Sequence, residues 1–318
     1  MSQASRQSMR AEMANSHVPD RSSRGLVIIL PVLLALMLGL CSASATPQGT
    51  RSNSVSPSTA NKSESNLNAL VRDILQNELR AQAEDHFLWC YRKLTDKDGK
   101  QQLFATCQTK TLEIDRLMAV NGKPLTEQQW NQENQRIEQL LNNRSQLKKE
   151  KQQQREDAEQ ATRMLKMLPD AFLFKQENSD ANRIALHFTP NPAFRASGAS
   201  EVVFHHMEGT LTLDVKQKRL VEISGRLNSD VKFAGGLLGH LDKGGTFYVK
   251  QQEVGPGCWE MTRMDVQMNG KALFFKTISV RTREIDTDFH AVPAAASIQQ
   301  VAALTNDGNE KNLIRSQR

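Results

Sequence analysis

The feature that most constrains this chain is the alternation of apolar and polar residues along residues 207–215. Leu211, Leu213 and Val215 fall on one side of an extended chain, and the residues between them are polar. A period of two is the spacing of a strand that is buried on one face only. The pattern recurs over residues 208–281 with barely a helical signal. We therefore predict a series of antiparallel strands over this stretch.

The predicted strands share one apolar face, which must be covered by other parts of the chain or serve as a binding surface. If the sheet is a half-barrel, this face points inward, and as a hypothesis it binds an apolar ligand. The residues of this hypothesis are Leu211, Leu213, Val221, Ile223, Phe247, Val249, Trp259, Met261, Phe274 and Ile278. The alternative is a core that the protein fills with its own side chains.

Composition divides the chain into segments around this sheet. We predict a signal peptide at residues 1–45, a disordered linker at residues 46–66 and a folded domain at residues 67–292. A flexible C-terminal tail is predicted at residues 293–318, where Ala-rich and then polar residues have little to pack against. Apolar residues at helical spacing over residues 67–83 predict an amphipathic helix. The predicted fold class is α+β, mainly antiparallel β: an incomplete barrel (half-barrel) covered on one side by α-helices.

The N-terminal residues carry the pattern of an export signal. Two arginines precede an apolar run over residues 25–40, and a small-x-small pattern that ends at Ala45 follows. This order predicts cleavage after Ala45, a mature chain that begins at Thr46, and export, with the periplasm as the destination. Lipidation at Cys41 is an alternative that the bulky Leu40 before it disfavours. An uncleaved segment that anchors the chain in the inner membrane is a further alternative.

The formal net charge of +6 does not indicate nucleic-acid binding. Lys and Arg are spread among acidic residues rather than clustered with aromatic ones. Proteins that bind nucleic acid usually concentrate basic residues in one patch or stripe. We therefore expect an ordinary solvated surface and no nucleic-acid partner.

A hairpin is predicted near the start of the folded domain. Strand-like residues 87–91 and 102–107 flank a turn in which Asp98 precedes a glycine, the pair that type I′ turns prefer. With these two residues as the loop, Cys90 lies opposite Cys107 in a non-hydrogen-bonded pair, where Cα atoms approach to about 4.5 Å. That spacing is near the short end of what a disulfide spans. We expect a Cys90–Cys107 disulfide in an oxidising compartment; two reduced cysteines that point into a core are the alternative.

A helical insertion interrupts the strands at residues 126–168. Thr126 and Gln129 fit a capping box at its start. Apolar residues give contact faces to its first half and to its last turns, but residues 148–157 are polar all round. We predict two helices with a solvated connection at this polar stretch, the second stopped by Pro169. A coiled coil is the alternative, but the apolar positions do not sustain heptads across the gap.

Paired glycines bracket the apolar residues 237–241. One interpretation is a turn or bulge between strands. The other is a flexible lip over the apolar face of the sheet.

The sequence lacks the common motifs of enzyme chemistry. It has no Gly-rich phosphate loop, no nucleophile elbow, no Cys-x-x-Cys and no His-Glu-x-x-His. The adjacent His205 and His206 would point to opposite faces of a strand and do not suggest a metal site. Glu284, Asp286 and Asp288 would share one face, but carboxylates at that spacing are more often solvated surface charges than a catalytic dyad. We expect no metal, no cofactor and no catalytic residue.

Four stretches carry a family resemblance: residues 207–215, Arg219–Leu227, residues 244–249 and residues 257–259. With the signal peptide, the amphipathic helix, the hairpin and the helical insertion, this layout resembles the LolA/LolB-like superfamily of periplasmic lipoprotein carriers over residues 67–292. The resemblance implies an incomplete antiparallel barrel, closed on one side by helices, with an apolar interior that holds acyl chains. The long Gln/Lys-rich insertion departs from the compact carriers, and no functional residue of the family is matched position by position.

Three functions follow from these features. The first is a non-catalytic carrier or sensor that binds a lipid, a lipoprotein acyl chain or another apolar ligand in the half-barrel. The second is an envelope structural or interaction protein with a self-filled core, whose helical insertion at residues 126–168 contacts an envelope protein. The third is a hydrolase of unknown substrate. A deep apolar cavity would favour the first, a filled core the second, and His and acidic side chains that converge in a cleft the third.

Overall fold

Strands and helices follow one another in the order that the sequence suggests. The computed structural model describes residues 60–84, 87–198, 200–272, 276–293 and 295–306. The predicted signal peptide, its cleavage before Thr46, the alternative site Cys41, and Phe274 all lie outside the described residues. The described α-helices are α1 (Ala60–Glu84), α2 (Glu127–Asn142), α3 (Arg144–Ala171) and α4 (Ile298–Leu304).

The strands make up a single antiparallel sheet. They are β1 (Trp89–Lys97), β2 (Lys100–Gln108), β3 (Glu113–Val120), β4 (Lys123–Pro124), β5 (Phe172–Ser179), β6 (Arg183–Pro190), β7 (Met207–Asp214), β8 (Arg219–Leu227), β9 (Val231–Phe233), β10 (Gly239–Leu241), β11 (Thr246–Gly255), β12 (Cys258–Ala272) and β13 (Lys276–Ala291). Their order across the sheet is β4-β3-β2-β1-β13-β12-β11-β8-β7-β6-β5, and β9 and β10 branch from β12. Within the described residues the two ends of this order do not pair, so the barrel is incomplete and the predicted fold class is confirmed.

The first hairpin forms as its turn residues predict. Asp98 and Gly99 have φ values of 51° and 83°, the left-handed conformations that a type I′ turn needs at both central positions. The resulting register places Cys90 opposite Cys107. Their Cα atoms are 4.0 Å apart and the two sulfurs are bonded, so the predicted disulfide is confirmed.

The N-terminal boundary of the folded part differs from the prediction. Helix α1 begins at Ala60, inside the linker predicted at residues 46–66. The polar composition there indicates little burial, but burial is not needed at the free end of a helix that is anchored further along. The anchor is provided by Val71, Ile74 and Leu75, which are completely or almost completely buried.

The helical insertion is divided at Asn143 and not at the polar residues 148–157. The backbone of Asn143 is extended, and its side chain accepts a hydrogen bond from Gln146 N, which starts α3. The polar stretch is therefore continuous helix. Pro169 does not end α3, which continues to Ala171, because a proline interferes with the turn before it and its own fixed φ is helical. The predicted capping box of Thr126 with Gln129 is present at the start of α2.

The tail predicted at residues 293–318 contains structure as well. Ser297 and Gln300 form a capping box that starts α4. Val301 and Ala302 of this helix are buried against the disulfide, Ile114 and other residues of a small core. The Ala-rich sequence did not predict this contact, because small side chains can pack closely without giving a strong apolar pattern.

The glycine-flanked segment at residues 237–241 begins in the turn after β9 and continues as the short strand β10. Gly235 and Gly236 have positive φ values and lead from β9 into β10. Leu237 at the tip is 83% exposed, so it covers no part of the sheet. The first of the two interpretations of this segment agrees with the structure.

Candidate functional site

One row of paired residues crosses seven strands and defines the inner face of the sheet. Residues opposite each other in antiparallel strands lie on the same face. The row is Leu186, Leu211, Ile223, Val249, Met264, Glu284 and Thr95. Every member is buried, with at most 4% of its surface exposed. The row changes from apolar to polar between β12 and β13, so the inner face has an apolar half (β5–β8, β11 and β12) and a polar half (β13 and β1–β3).

Helices α1 and α3 cover the apolar half. Met164, Leu165 and Leu168 near the end of α3 share one core cluster with Val71 and Ile74 of α1. Six residues of the ligand-binding hypothesis belong to this same cluster: Leu211, Leu213, Ile223, Phe247, Val249 and Met261. Their exposed fractions are 0–4%, so the protein's own side chains contact them on all sides.

Two glycines let aromatic rings lie flat on this half. Gly209 of β7 pairs with Gly225 of β8. A Cβ atom at Gly209 would lie 2.7 Å from the ring of Phe188, and one at Gly225 would lie 2.4 Å from the ring of Phe247. These distances are far below contact, so the rings occupy the space that side chains would take at the two glycines. The apolar half is filled rather than hollow at this point.

The other described residues of the hypothesis are also buried, but they are not members of this cluster. Val221, Ile278 and Trp259 are 3%, 8% and 9% exposed. The ring of Trp259 lies 5.5 Å from the guanidinium carbon of Arg219, and its Nε1 donates a hydrogen bond to Gln217. Trp259 is therefore held by polar partners as well as by packing.

A buried ion pair fixes α1 to this region. Arg219 donates to both carboxylate oxygens of Glu78, at 2.8 and 2.9 Å, and Gln251 Nε2 donates to Glu78 at 3.2 Å. Glu78 is 0% exposed. Burial of an ion pair is tolerated when the geometry is bidentate and further hydrogen bonds satisfy the charges, as they do here.

The polar half contains one ammonium among four carboxyl groups, which we name the carboxylate cluster: Lys93 with Glu113, Asp115, Glu284 and Asp286. Lys93 Nζ lies 2.7 Å from Asp115 Oδ1 and 3.9 Å from Glu113 Oε2. Asp286 is the cross-strand neighbour of Lys93. Lys93, Glu113, Glu284 and Asp286 are each at most 5% exposed. Three of the four carboxyl groups are buried around this ammonium, an arrangement that favours the protonated form of part of the cluster.

Hydrogen bonds hold part of this cluster. Tyr91 donates to Glu113 Oε1 at 3.1 Å, and Gln108 Nε2 donates to the same oxygen at 3.4 Å. Thr106 donates to Asp115 Oδ1 at 2.7 Å. Glu113 Oε2 and Asp286 Oδ1 are buried and accept no hydrogen bond from the described residues. A buried carboxyl oxygen without a donor favours the protonated form of the group.

The pKa values follow from this environment. Burial raises the pKa of Glu113 to about 7, although the charge of Lys93 opposes the change. Burial and the neighbouring Glu284 raise the pKa of Asp286 well above its ordinary value. Burial lowers the pKa of Lys93, but the carboxylates of Asp115, Glu113 and Glu284 outweigh that effect, and the pKa lies above its ordinary value. The lysine therefore stays charged at neutral pH, while Glu113 and Asp286 bind protons at higher pH than ordinary carboxyl groups do.

Polar side chains of α2 and α3 reach β3 beside the cluster, along the part of β3 that β4 does not pair with. Gln154 Oε1 accepts a hydrogen bond from Glu113 N at 3.0 Å, and Glu133 Oε1 accepts one from Leu117 N at 2.8 Å. Arg136 donates to Asp115 O. These bonds satisfy backbone groups that an edge strand would leave open. The polar stretch of α3 thus contacts the sheet through the hydrogen bond of Gln154.

The surface interpretation of the acidic residues on β13 is wrong for two of the three. Glu284 and Asp286 are buried in the polar half, and only Asp288 is exposed. Asp288 has a φ of 57°, which breaks the alternation of the strand. A signal for the cluster was present in the sequence: Tyr91, Lys93 and Thr95 alternate on the face that carries apolar residues elsewhere.

The histidines do not assemble into a site. His205 and His206 lie in a 3₁₀ turn (Val202–His206) and not on a strand, and His206 Nδ1 is 2.8 Å from Ser229 Oγ. Across the part of the chain that the structure describes, no group of His, Cys, Asp or Glu has the arrangement of a metal site.

Two further observations bear on where the protein resides. The Cys90–Cys107 disulfide is the kind of bond that forms and persists in oxidising compartments, and so it is typical of exported proteins. None of the four described helices combines the length and the apolar content that crossing a bilayer requires.

Fold and site together define a class: a disulfide-bonded α+β protein with an open antiparallel sheet, in which helices of the same chain cover the apolar half of the inner face. No family model matches the chain, and no curated protein matches it. Among solved structures, the crystal structure of a DUF1329 family protein from Desulfovibrio piger is similar at 8% sequence identity and a TM-score of 0.25, over 76% of this chain and 97% of that chain. A likeness at this TM-score carries no argument about function.

Proposed function

We propose that this protein is an exported, non-catalytic protein of the cell envelope that acts by binding at its outer surface. The observation that carries the proposal is the filled inner face. Helices α1 and α3 pack on the apolar half so closely that Leu213 and Val249 are 0% exposed. A binding protein with a closed interior must meet its partner on the outside.

The buried position of the acidic residues supports the non-catalytic part of the proposal. Glu284 and Asp286, the candidate dyad, are 2% and 5% exposed. A general acid or base must come within hydrogen-bonding reach of a substrate. In this conformation, the two groups face Lys93 and the interior instead.

The outer sides of α2 and α3 are the surface that we propose for an envelope protein partner. Gln152, Arg155 and Glu156 of α3 are exposed, while Gln154 between them turns towards the sheet. The periplasm is the compartment that we propose, with the signal cleaved after Ala45; retention of the signal as an inner-membrane anchor is the alternative.

Native mass spectrometry of the protein purified from its own envelope tests the closed interior. We expect the mass of the processed polypeptide with no lipid attached. A stoichiometric lipid that leaves only when the protein unfolds would overturn the proposal.

Photo-crosslinking in the intact envelope tests the outer surface. A photoreactive residue at Gln152 should form one discrete protein adduct. The matched control is Lys175, an exposed position on the edge strand β5, which should form none. Equal adducts from the two positions, or none from Gln152, would count against α3 as the contact surface.

A second candidate, a carrier of acyl chains, is supported by what covers the apolar half. The cover consists of helices and not of a second sheet, and α1 is held by side-chain contacts that include the exposed ion pair of Lys218 with Asp73, at 2.8 Å. A helix such as α1 can move away from the sheet as one unit, and this movement would open the apolar half to an acyl chain. The resemblance to the LolA/LolB-like layout also implies this function. The lipid outcome of the mass measurement would favour the carrier over the surface-binding protein.

A further inference from the structure

A groove of about 320 Å³ lies outside the inner face. Its walls come from four separate parts of the chain: the residue before β1, the connection between β2 and β3, the polar stretch of α3, and the segment that leads into α4. The lining residues are Leu88, Thr109, Lys110, Thr111, Lys151, Ala295, Ala296 and Ile298. The sheet, the insertion and the C-terminal helix must all be in place for this groove to exist.

Part of the groove lining is apolar. Leu88, Ala296 and Ile298 pack against the small core that contains the disulfide and α4. These three side chains remain only partly buried. The groove therefore offers apolar surface that the folded chain has not covered.

The rim is basic. Lys110 and Lys151 line the groove from different elements, and the lining includes no acidic residue. Among the described residues, neither lysine has a carboxylate within ion-pair distance or another polar partner. Lys151 belongs to the polar stretch of α3, whose remaining charged residues include Arg155, paired within the helix with Glu159. Two unpaired ammonium groups in the same groove as the partly buried Leu88 and Ile298 favour a ligand with an anionic head and an apolar tail.

We propose that this groove binds a single-chain fatty acid, with its carboxylate at Lys110 and Lys151 and its chain against Leu88 and Ile298. The volume is at the lower end of the range for small-molecule sites, so it suits one chain and not a two-chain phospholipid. This site lies apart from the apolar half of the inner face and does not rest on the proposed surface-binding function. It assigns a ligand class to a part of the molecule that the inner-face hypothesis leaves out.

Calorimetric titration of the mature protein with sodium dodecanoate tests the site. In the double variant Lys110→Gln, Lys151→Gln, we expect binding to weaken by about tenfold or more, the loss of roughly one close charge interaction. The matched control is Lys123→Gln with Lys149→Gln, which removes the same charge from exposed positions on β4 and α3. The control should bind within about twofold of the parent. Equal thermal unfolding midpoints for the two double variants confirm that both are folded.

Three further ligands test the contributions of the anionic head and of the apolar tail separately. Dodecanol should bind the parent about tenfold more weakly than dodecanoate, because it lacks the charge. Octanoate should bind more weakly than dodecanoate, because it buries fewer methylenes. Inorganic phosphate should not compete with dodecanoate, because it has no tail.

Several results would overturn the proposal. No binding of dodecanoate would do so directly. Equal binding by both double variants would place the fatty acid elsewhere, and the inner face would then be the first place to look. Equal affinity for dodecanol would mean an apolar site without recognition of an anion, and competition by phosphate would mean an anion site without a tail.

Discussion

The two halves of the inner face are equally buried, but different interactions hold them. Val249 in the apolar half is 0% exposed and Lys93 in the polar half is 2% exposed. The first is stabilised by removal of apolar surface from water, which needs no direction. The second is stabilised by an ammonium among carboxyl groups, which needs geometry and shared protons. The exposed fraction of the side chains therefore does not distinguish a face held by apolar packing from a face held by charges.

One helix serves both halves with different parts of its length. The apolar half meets Met164 and Leu165 of α3, and the edge beside the polar half meets Gln154 of the same helix. The residues of α3 change from polar to apolar along the helix, and the strands that they contact change in the same way across the sheet. This match explains why residues 148–157 have no apolar stripe and are nevertheless helical.

The largest expected effect is that of a carboxylate placed in the apolar half. Val249→Glu should destabilise the protein by more than about 4 kcal/mol, because an unpaired charge enters a filled core, and the variant should fail to accumulate. Thr246→Glu is the matched control on the same strand, since Thr246 is exposed and pairs with Arg226. Expression level and urea unfolding measure both. A Val249→Glu protein that folds like the parent would place Val249 at an open cavity wall and would support the carrier.

Removal of the single cation tests the polar half. Lys93→Met should cost about 3–5 kcal/mol at pH 8, because the carboxylate cluster loses the buried ammonium group that lies among its members. The loss should shrink at pH 5, where the carboxyl groups bind protons. Lys100→Met, at an exposed position on β2, is the control and should change the stability little. A loss for Lys93→Met that is the same at both pH values would mean that packing, and not charge, explains it.

The disulfide lies on the other face of the hairpin that carries Lys93, against α4. Replacement of both Cys90 and Cys107 by Ala should cost about 3 kcal/mol, because the unfolded chain regains the entropy that the bond removes. This loss should be the same at pH 5 and pH 8, since the disulfide does not titrate. Urea unfolding at the two pH values measures it. A strong pH dependence would show that the hairpin transmits the state of the carboxylate cluster.

The smallest effect concerns protons in the polar half. The folded-state pKa of Glu113 is about 7, above its ordinary value of 4.5. Its contribution to stability is therefore present below pH 4.5 and is lost as the pH rises through 7. Because of Glu113, we expect the free energy of unfolding to fall by about 2 kcal/mol between pH 5 and pH 8.

Glu113→Gln should remove that part of the pH dependence. Glu138→Gln, at an exposed position on α2, should keep it. Unfolding free energies across pH 5–8 measure both variants. Equal slopes for the two variants would contradict the raised pKa of Glu113.

Local features of the fold were predictable because a few neighbouring residues determine them. The Asp98-Gly99 turn sets the register of the first hairpin, and the register sets the disulfide. The capping box at Thr126 is likewise local. In contrast, the end of the linker and the packing of α4 depend on contacts between parts of the chain that are far apart in sequence, and composition gave the wrong answer for both.

The candidate site was only half predictable for a similar reason. Alternation identified Leu211, Ile223 and Val249 as sharing a face, because a strand repeats every two residues. It treated Glu284 and Asp286 as surface charges, because nothing in β13 itself reveals that Lys93 lies opposite. Pairing of β13 with β1 joins residues almost two hundred positions apart.

The sequence by itself determined the strand-rich α+β class, the first hairpin with its disulfide, and the members of the apolar half. These depend on short-range periodicity and turn chemistry, which a linear pattern records. Only the tertiary structure decided that α1 and α3 fill the apolar half, that β13 brings two carboxyl groups to Lys93, and that a basic-rimmed groove forms beside α4. Each of these depends on which distant segments meet, and the free energy of such a contact belongs to both partners and cannot be read from either one.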